Sequence, residues 1–163
     1  MSNQHIYVIG GCHPSLLARD YNILKSCLQI DISTGILTQK KDMLSGRTSF
    51  GICPIGKRIW LLGGLNSNWQ VSTTYTSYDV LRDRWTEYTG KSVDYPLKVT
   101  LVGVRKRFVY CFGGRNKQFN LPRRGNEVVC KLDTYKLGRG WEIFILQETA
   151  LENGTNHGVI ILS

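Results

Sequence analysis

The chain has 163 residues, with 17 glycines, 4 prolines and 5 cysteines; 42% of residues are hydrophobic and 20% charged. That length bounds it to one domain with a sizeable core, and the composition is that of a soluble globular protein rather than a disordered or fibrous one. A net charge of +9 points towards acidic partners, be they nucleic acid, an anionic membrane surface or an acidic protein, and selects none of them by itself; no apolar run approaches the roughly 20 residues of a membrane helix, and no membrane is expected among the partners.

The first predicted strand is "IYVIGG" at 6–11, four mostly apolar residues closed by Gly10-Gly11. No basic region followed by a long apolar segment occurs there, so no secretory signal is expected. The loop "CHPSLLARDYN" leads to an apolar residue and an acid, Ile30-Asp31, with Leu37 six residues past the acid. The polar loop "KDMLSGR" then precedes the apolar run "TSFGICPIG" at 48–56. A basic turn enters "IWLLGG" at 59–64, closed by Gly63-Gly64. The loop "LNSNWQ", the strand "TTYTSYDV" with Tyr78-Asp79, and the strand "RWTEYT" with Trp85 follow. After "TGKSVDYP" the order recurs as "KVTLVGV", the basic turn "RKR", "VYCFGG" with Gly113-Gly114, "RNKQFNLPRRGN", Leu132-Asp133, "YKLGRG" and Trp141. The chain ends with "ETALENGTN" and "HGVIILS".

The doublets begin at Gly10, Gly63 and Gly113, so the period is about 50 residues, the signature of a repeat architecture. Each period holds four short strands, with glycines where the chain needs unusual backbone angles and close approach. Four antiparallel strands per period make one blade of a β-propeller, so the expected class is all-β with about three blades, a half or partial ring. The doublets in register, the Tyr78-Asp79…Trp85 spacing, and Arg47 ahead of a first strand resemble the kelch repeat. The resemblance covers nearly the whole chain as one unit, with repeats at roughly 5–47, 48–97 and 98–156 and a leftover first strand at 157–163. It departs from the family at Leu37, where Trp is preferred, at Leu132, and in the longer turn 135–140. Tyr78, Trp85 and Trp141 are expected to wedge between blades.

Counted from the first strand, the phase is three strands, four, four and one. Three blades do not close a normal ring, so the ends of the arc are expected to associate. The chain is then a piece of a longer propeller, pairs with another chain supplying blades, or joins a second copy in a six-bladed ring. In the last case "HGVIILS" of each copy would complete the other's opening blade.

Successive turns of antiparallel blades alternate between the two faces of the disc. One face gathers Lys57, Arg58, Arg105, Lys106 and Arg107, with Arg82, Arg84, Lys136 and Arg139. Polar turns are ordinary; the functional reading is docking onto an acidic protein surface. The other face carries the long loops, which present Leu16, Leu17, Trp69, Tyr95 and Phe119 beside Arg19, Arg47, Arg115, Arg123 and Arg124. Aromatics with arginine are favoured interface anchors, although Trp69 and Phe119 also suit a role as plugs between loops. Kelch-like propellers commonly bind protein partners through this loop face, so the resemblance implies the same here.

Cys12, Cys27, Cys53, Cys111 and Cys130 form no C-x-x-C pair and are expected to be reduced, partly buried thiols in a cytoplasmic protein. Cys12-His13 lacks a second cluster to complete a metal site, and Asn153-Gly154-Thr155 reads as a turn. His5, His13 and His157 lie at the two ends of the chain, away from any copper-type cluster. No nucleophile–base pair, phosphate loop or paired carboxylate stands out, and Asp31, Asp79 and Asp133 recur once per blade as structural residues. The expected function is therefore a non-catalytic protein-interaction scaffold without cofactor or metal, in a cytoplasmic setting such as a cytoskeletal or ciliary assembly. The alternatives are a polyanion- or RNA-binding protein using the basic face, then a sugar-modifying or oxidase-type propeller enzyme.

Overall fold

The structure is a computed structural model, which describes residues 4–14, 21–72, 74–88, 101–112 and 128–145. In chain order the strands begin with β1 (His5–Ile9), β2 (Cys12–Pro14), β3 (Tyr21–Ile23), β4 (Cys27–Asp31) and β5 (Leu37–Gln39). Next come β6 (Arg47–Thr48), β7 (Gly51–Ile55), β8 (Arg58–Leu62), β9 (Leu65–Asn66), β10 (Tyr75–Asp79) and β11 (Arg84–Tyr88). The last are β12 (Leu101–Arg105), β13 (Phe108–Phe112), β14 (Val128–Asp133) and β15 (Trp141–Ile145), with one 3-10 turn at Leu137–Arg139.

Three antiparallel sheets form the blades: β1-β4-β5, then β7-β8-β10-β11, then β12-β13-β14-β15. We call them blades I, II and III. Blade I holds only the second to fourth strand types among the described residues, as the strand phase predicts. The expected strand at 157–163 lies outside the described residues, as does the third doublet, Gly113 and Gly114. The first strands β7 and β12 lie side by side.

The registers place the repeat positions opposite one another. Leu37 pairs with Ile30, Trp85 with Tyr78, and Trp141 with Leu132. A strand turns successive side chains to opposite faces, so blade II, packed on both sides, is apolar on both. Ile59, Leu61, Tyr78 and Trp85 meet Tyr7, Ile9, Cys27 and Met43 in the core between blades I and II. Cys53, Trp60, Leu62 and Tyr75 meet Val109, Cys111, Cys130 and Leu132 in the core between II and III, where Trp141 joins the margin. Trp141 stands edge-on to Tyr75 with ring centroids 6.1 Å apart.

The wedges also carry the polar links between blades. Trp85 Nε1 donates to the Lys41 carbonyl at 2.7 Å. Asp83 accepts from Tyr78 Oη at 2.6 Å and from the Lys41 amide at 2.9 Å. Two small additions were not anticipated. The hairpin β2–β3 orders both ends of the first long loop, and a short ladder pairs β6 with β9.

Gly10, Gly11, Gly63 and Gly64 all have left-handed backbone, with φ of 58°, 94°, 65° and 84°. Close approach adds a second constraint. A Cβ on Gly10 would sit 2.5 Å from the Arg47 carbonyl oxygen, and one on Gly64 would sit 2.5 Å from that of Thr48.

Arg47 corrects one expectation. It does not project from the loop face but is buried, with 2% exposure. Its guanidinium donates to the carbonyls of Gly63 (3.2 Å) and Thr74 (2.8 Å) and to Thr74 Oγ1 (2.9 Å). Thr74 Oγ1 passes a hydrogen bond on to Glu87 at 2.6 Å. Burial lowers the arginine pKa from its ordinary value, and the nearby Glu87 charge acts in the opposite direction.

Three substitutions test this framework. Gly64→Ala should cost about 2–3 kcal/mol in a denaturant titration, because φ and close approach both oppose a Cβ. Gly35→Ala, with φ of 70° but nothing within 4 Å of the added atom, should cost about 1 kcal/mol. Arg47→Met should cost about 2–4 kcal/mol by stranding the two carbonyls and Thr74, read as a lower urea midpoint at unchanged m-value.

Candidate functional site

The turn face is built by one local motif, repeated. Each third strand ends in an Asp whose carboxylate caps the following turn. Asp31 accepts from the amides of Ser33 (2.8 Å) and Thr34 (3.1 Å), and Asp79 from those of Leu81 and Arg82 (3.1 Å each). Asp133 accepts from the Tyr135 amide at 3.0 Å. The amide of the residue after each Asp donates to the carbonyl of the residue just before the second-strand residue paired with that Asp. Ile32 donates to the Gln4 carbonyl (3.1 Å), Val80 to that of Lys57 (3.0 Å), and Thr134 to that of Arg107 (3.1 Å). The short strand-connecting turn of each complete blade is thereby locked to its neighbouring turn.

In blades II and III the same carboxylates hold cations. Asp79 Oδ2 meets Arg82 Nη1 at 2.9 Å and Arg58 Nη2 at 3.2 Å. Asp133 Oδ2 meets Arg107 Nη2 at 3.0 Å, and Asp31 Oδ2 lies 3.7 Å from His5 Nε2. Hydrogen bonding from the Arg82 side chain is the main reason the Asp79 pKa lies below the usual carboxylate value of 3.8, with the Arg82 and Arg58 charges adding to it. The Ser33 hydroxyl does the same for Asp31, and the Tyr78 hydroxyl for Asp83.

Between these turns run two clefts. One, of about 460 Å³, is lined by Lys57, Arg58, Asp79, Arg82, Trp60, Tyr88, Leu81 and Tyr135, among others. The next, of about 480 Å³, is lined by Ile55, Gly56, Lys106, Arg107, Phe108 and Tyr135. Both include Ile55, Gly56 and Tyr135, so they form adjoining hollows on either side of Tyr135. Tyr135 is 77% exposed and Leu81 is 73% exposed. The Arg107 guanidinium lies over both Tyr135 (5.7 Å) and Phe108 (5.1 Å). Among the described residues, five cations thus border the clefts against one lining carboxylate, Asp79. Lysines at the hairpin tips are solvated, while the arginines are oriented by the acids beneath them.

The structure brings Lys57, Arg58, Lys106 and Arg107 together with Arg82, as the strand alternation implies. Arg105 closes β12 beside them and is exposed, as are Arg84, Lys136 and Arg139. Sequence reasoning missed Tyr135 and Leu81. Each stands two residues past a recurrent Asp, and that position is the signal that could have identified them. On the loop face, Trp69 is 42% exposed, adopts φ of 59°, and meets Tyr21 edge-on at 6.2 Å. It joins two neighbouring loops while presenting part of its ring. Leu16, Leu17, Arg19, Tyr95, Arg115, Phe119, Arg123 and Arg124 lie outside the described residues.

Among the described residues, no group of three or more His, Cys, Asp or Glu side chains could hold a metal ion. Burial pushes the thiols of Cys27 and Cys130 up to about 11 and that of Cys53 to about 12, and raises that of Cys111, so none is a ready nucleophile. No helix among the described residues is long and apolar enough to cross a membrane.

These sheets define the class: an all-β chain of small antiparallel sheets stacked as the blades of a partial β-propeller. No protein-family model matches the chain. It is 23% identical over 129 residues to beta-scruin and 23% identical over 125 residues to alpha-scruin, both of Limulus polyphemus. Those alignments cover 77% and 76% of this chain but only 14% and 13% of the scruins, so the chain spans a small part of these relatives. Scruins are kelch-repeat proteins, and the weak similarity agrees with the repeat resemblance. A solved structure, that of YjhT, superposes with a TM-score of 0.70 at 13% identity, covering 90% of this chain and 50% of that one. That likeness shows the fold.

The depressed carboxylates set a pH dependence. Their folded pKa values lie below the unfolded ones, so the unfolded chain binds more protons and stability rises with pH. The stabilisation is fully present above the unfolded value and is lost as pH falls through the lower folded values. Urea midpoints should therefore fall between about pH 5 and pH 3. In Asp79→Asn the pH slope over that interval should be visibly shallower.

Proposed function

We propose that this arc is a non-catalytic protein-interaction scaffold of the kelch-repeat type, and that its basic turn face docks an acidic segment of a protein partner. The observation that carries this reading is the pair of adjoining clefts flanking Tyr135, bordered by Lys57, Arg58, Arg82, Lys106 and Arg107. An extended acidic segment fits that arrangement. Its carboxylates would meet Lys57 and Arg82 on one side and Lys106 and Arg107 on the other, while an apolar side chain would rest between Leu81 and Tyr135. Arginines already aligned by Asp79 and Asp133 lose little further freedom on binding. Similarity to the scruins and the repeat resemblance support a protein partner in a cytoplasmic, cytoskeletal setting.

The loop face is a second contact surface in this reading. Trp69 would be its aromatic anchor, joined by Leu16, Leu17, Arg19, Tyr95, Arg115, Phe119, Arg123 and Arg124. In this reading the repeats at roughly 5–47, 48–97 and 98–156 act together as one support for both faces.

A labelled glutamate-rich peptide of about ten residues tests the cleft by fluorescence anisotropy. The peptide should bind more weakly as salt rises, and Lys57→Glu with Arg82→Glu should weaken it about tenfold or more. A single-stranded RNA of equal charge is the comparison. Clearly tighter RNA binding, lost in the same double variant, would replace the acidic-protein reading with the polyanion one.

A further inference from the structure

The ends of the arc carry the two halves of one blade junction. The registers His5–Asp31, Arg58–Asp79 and Phe108–Asp133 align the second strands of the blades. Ile6, Ile59 and Val109 then hold equivalent positions, as do Val8, Leu61 and Cys111, and on the opposite face Tyr7, Trp60 and Tyr110. Both junctions within the arc obey one rule. The second-strand ring of one blade, Tyr7 or Trp60, packs against the second-strand positions of the next that hold small apolar side chains, Ile59 and Leu61 or Val109 and Cys111, and the wedge Trp85 or Trp141 lies on that same face.

Where a neighbour is present, the small apolar face is covered. Ile59 is 8% exposed, Leu61 and Val109 0%, and Cys111 1%. On blade I the same face is bare, with Ile6 at 51% and Val8 at 47%. Leu37, in the wedge position that Trp85 fills at 6%, is 57% exposed. At the other end, blade III turns Tyr110 and the 45%-exposed Phe144 away from blade II. Phe144 occupies the position of Tyr88, which in blade II stacks on Trp60 at 5.4 Å. Blade I therefore offers the aliphatic half of a junction and blade III the aromatic half. Strand β1 is also an edge of its sheet, whereas β8 and β13 are each flanked by a first strand.

We propose that these two faces bind each other between two copies of the chain, head to tail, closing a two-fold ring of six blades. Both halves of the missing junction are on one molecule, so one neighbour of the same sequence satisfies both ends, and a head-to-tail contact that closes on itself is finite. The half-length match to the YjhT structure fits this count: three blades superpose on 50% of that chain. The proposal rests on the packing of the blades and is independent of the acidic-segment reading.

Light scattering coupled to gel filtration of the full chain tests it. The expected mass is two chains at low and at high salt, because apolar side chains form most of the junction and the Lys131–Glu142 pair beside Tyr110 is closed within one blade. Val8→Asp and Tyr110→Asp each alter a face that points away from blade II. Each should raise the dimer dissociation constant at least about tenfold while leaving the far-ultraviolet circular dichroism unchanged. An equimolar mixture of the two variants contains one wild-type pairing of Val8 with Tyr110, and should regain a dimer that neither variant forms alone. A single-chain mass for the unmodified protein overturns the proposal. So does a dimer that survives Val8→Asp, or a mixture that stays monomeric.

Discussion

Ile59 and Leu61 face blade I, while Trp60 and Leu62 on the same strand face blade III. That two-sided burial of β8 is the constraint on which the arc depends. Fully burying side chains of this size contributes about 1.5–3 kcal/mol each, and a sheet with no polar face is stable only as the middle layer of a stack. The tyrosines and tryptophans give each junction its shape. Trp60, Tyr75 and Tyr88 lie nearly parallel on one face of blade II, and Trp141 meets them edge-on from blade III. On the other face of blade II, Ile59 and Leu61 beside Tyr78 and Trp85 receive Tyr7, Ile9, Cys27 and Met43 of blade I. A junction between one broad aromatic face and one compact face is directional, so the stack grows in one sense and each end remains specific.

Glycine and arginine together set how closely the blades connect. The first two doublets end their second strands in backbone that favours glycine, and the incoming linker lies against them. Arg47 then secures that linker by donating to Gly63 and Thr74, next to the second doublet. A cation is an expensive group to bury, and it persists here because carbonyls, a hydroxyl and the field of Glu87 replace its water. The arginine that reads as a surface anchor in the sequence is thus a fastener between loops.

The turn face shows the same economy of parts in its chemistry. One Asp per blade caps a turn, and in blades II and III it also aligns an arginine beside it, so folding those blades arranges positive charge. Blade II and blade III contribute neighbouring copies of this unit, and Tyr135 stands where they adjoin. The net charge of the chain becomes a local feature through strand alternation, which puts the first-to-second and third-to-fourth turns on one side of the disc.

The repeat and its phase were legible in the sequence because they depend on local rules. Side chains alternate with a period of two, glycine tolerates left-handed backbone, and an Asp caps the turn that follows it. Those rules suffice to align Leu37, Trp85 and Trp141, and the registers agree with that alignment. The tertiary structure alone decided which face of each sheet is covered, why Leu37 has no wedge partner among the described residues, where Arg47 is buried, and how Tyr135 divides two clefts. Each of these depends on contacts between residues from different repeats, brought together by blade packing, and spacing along one chain carries no record of such distances.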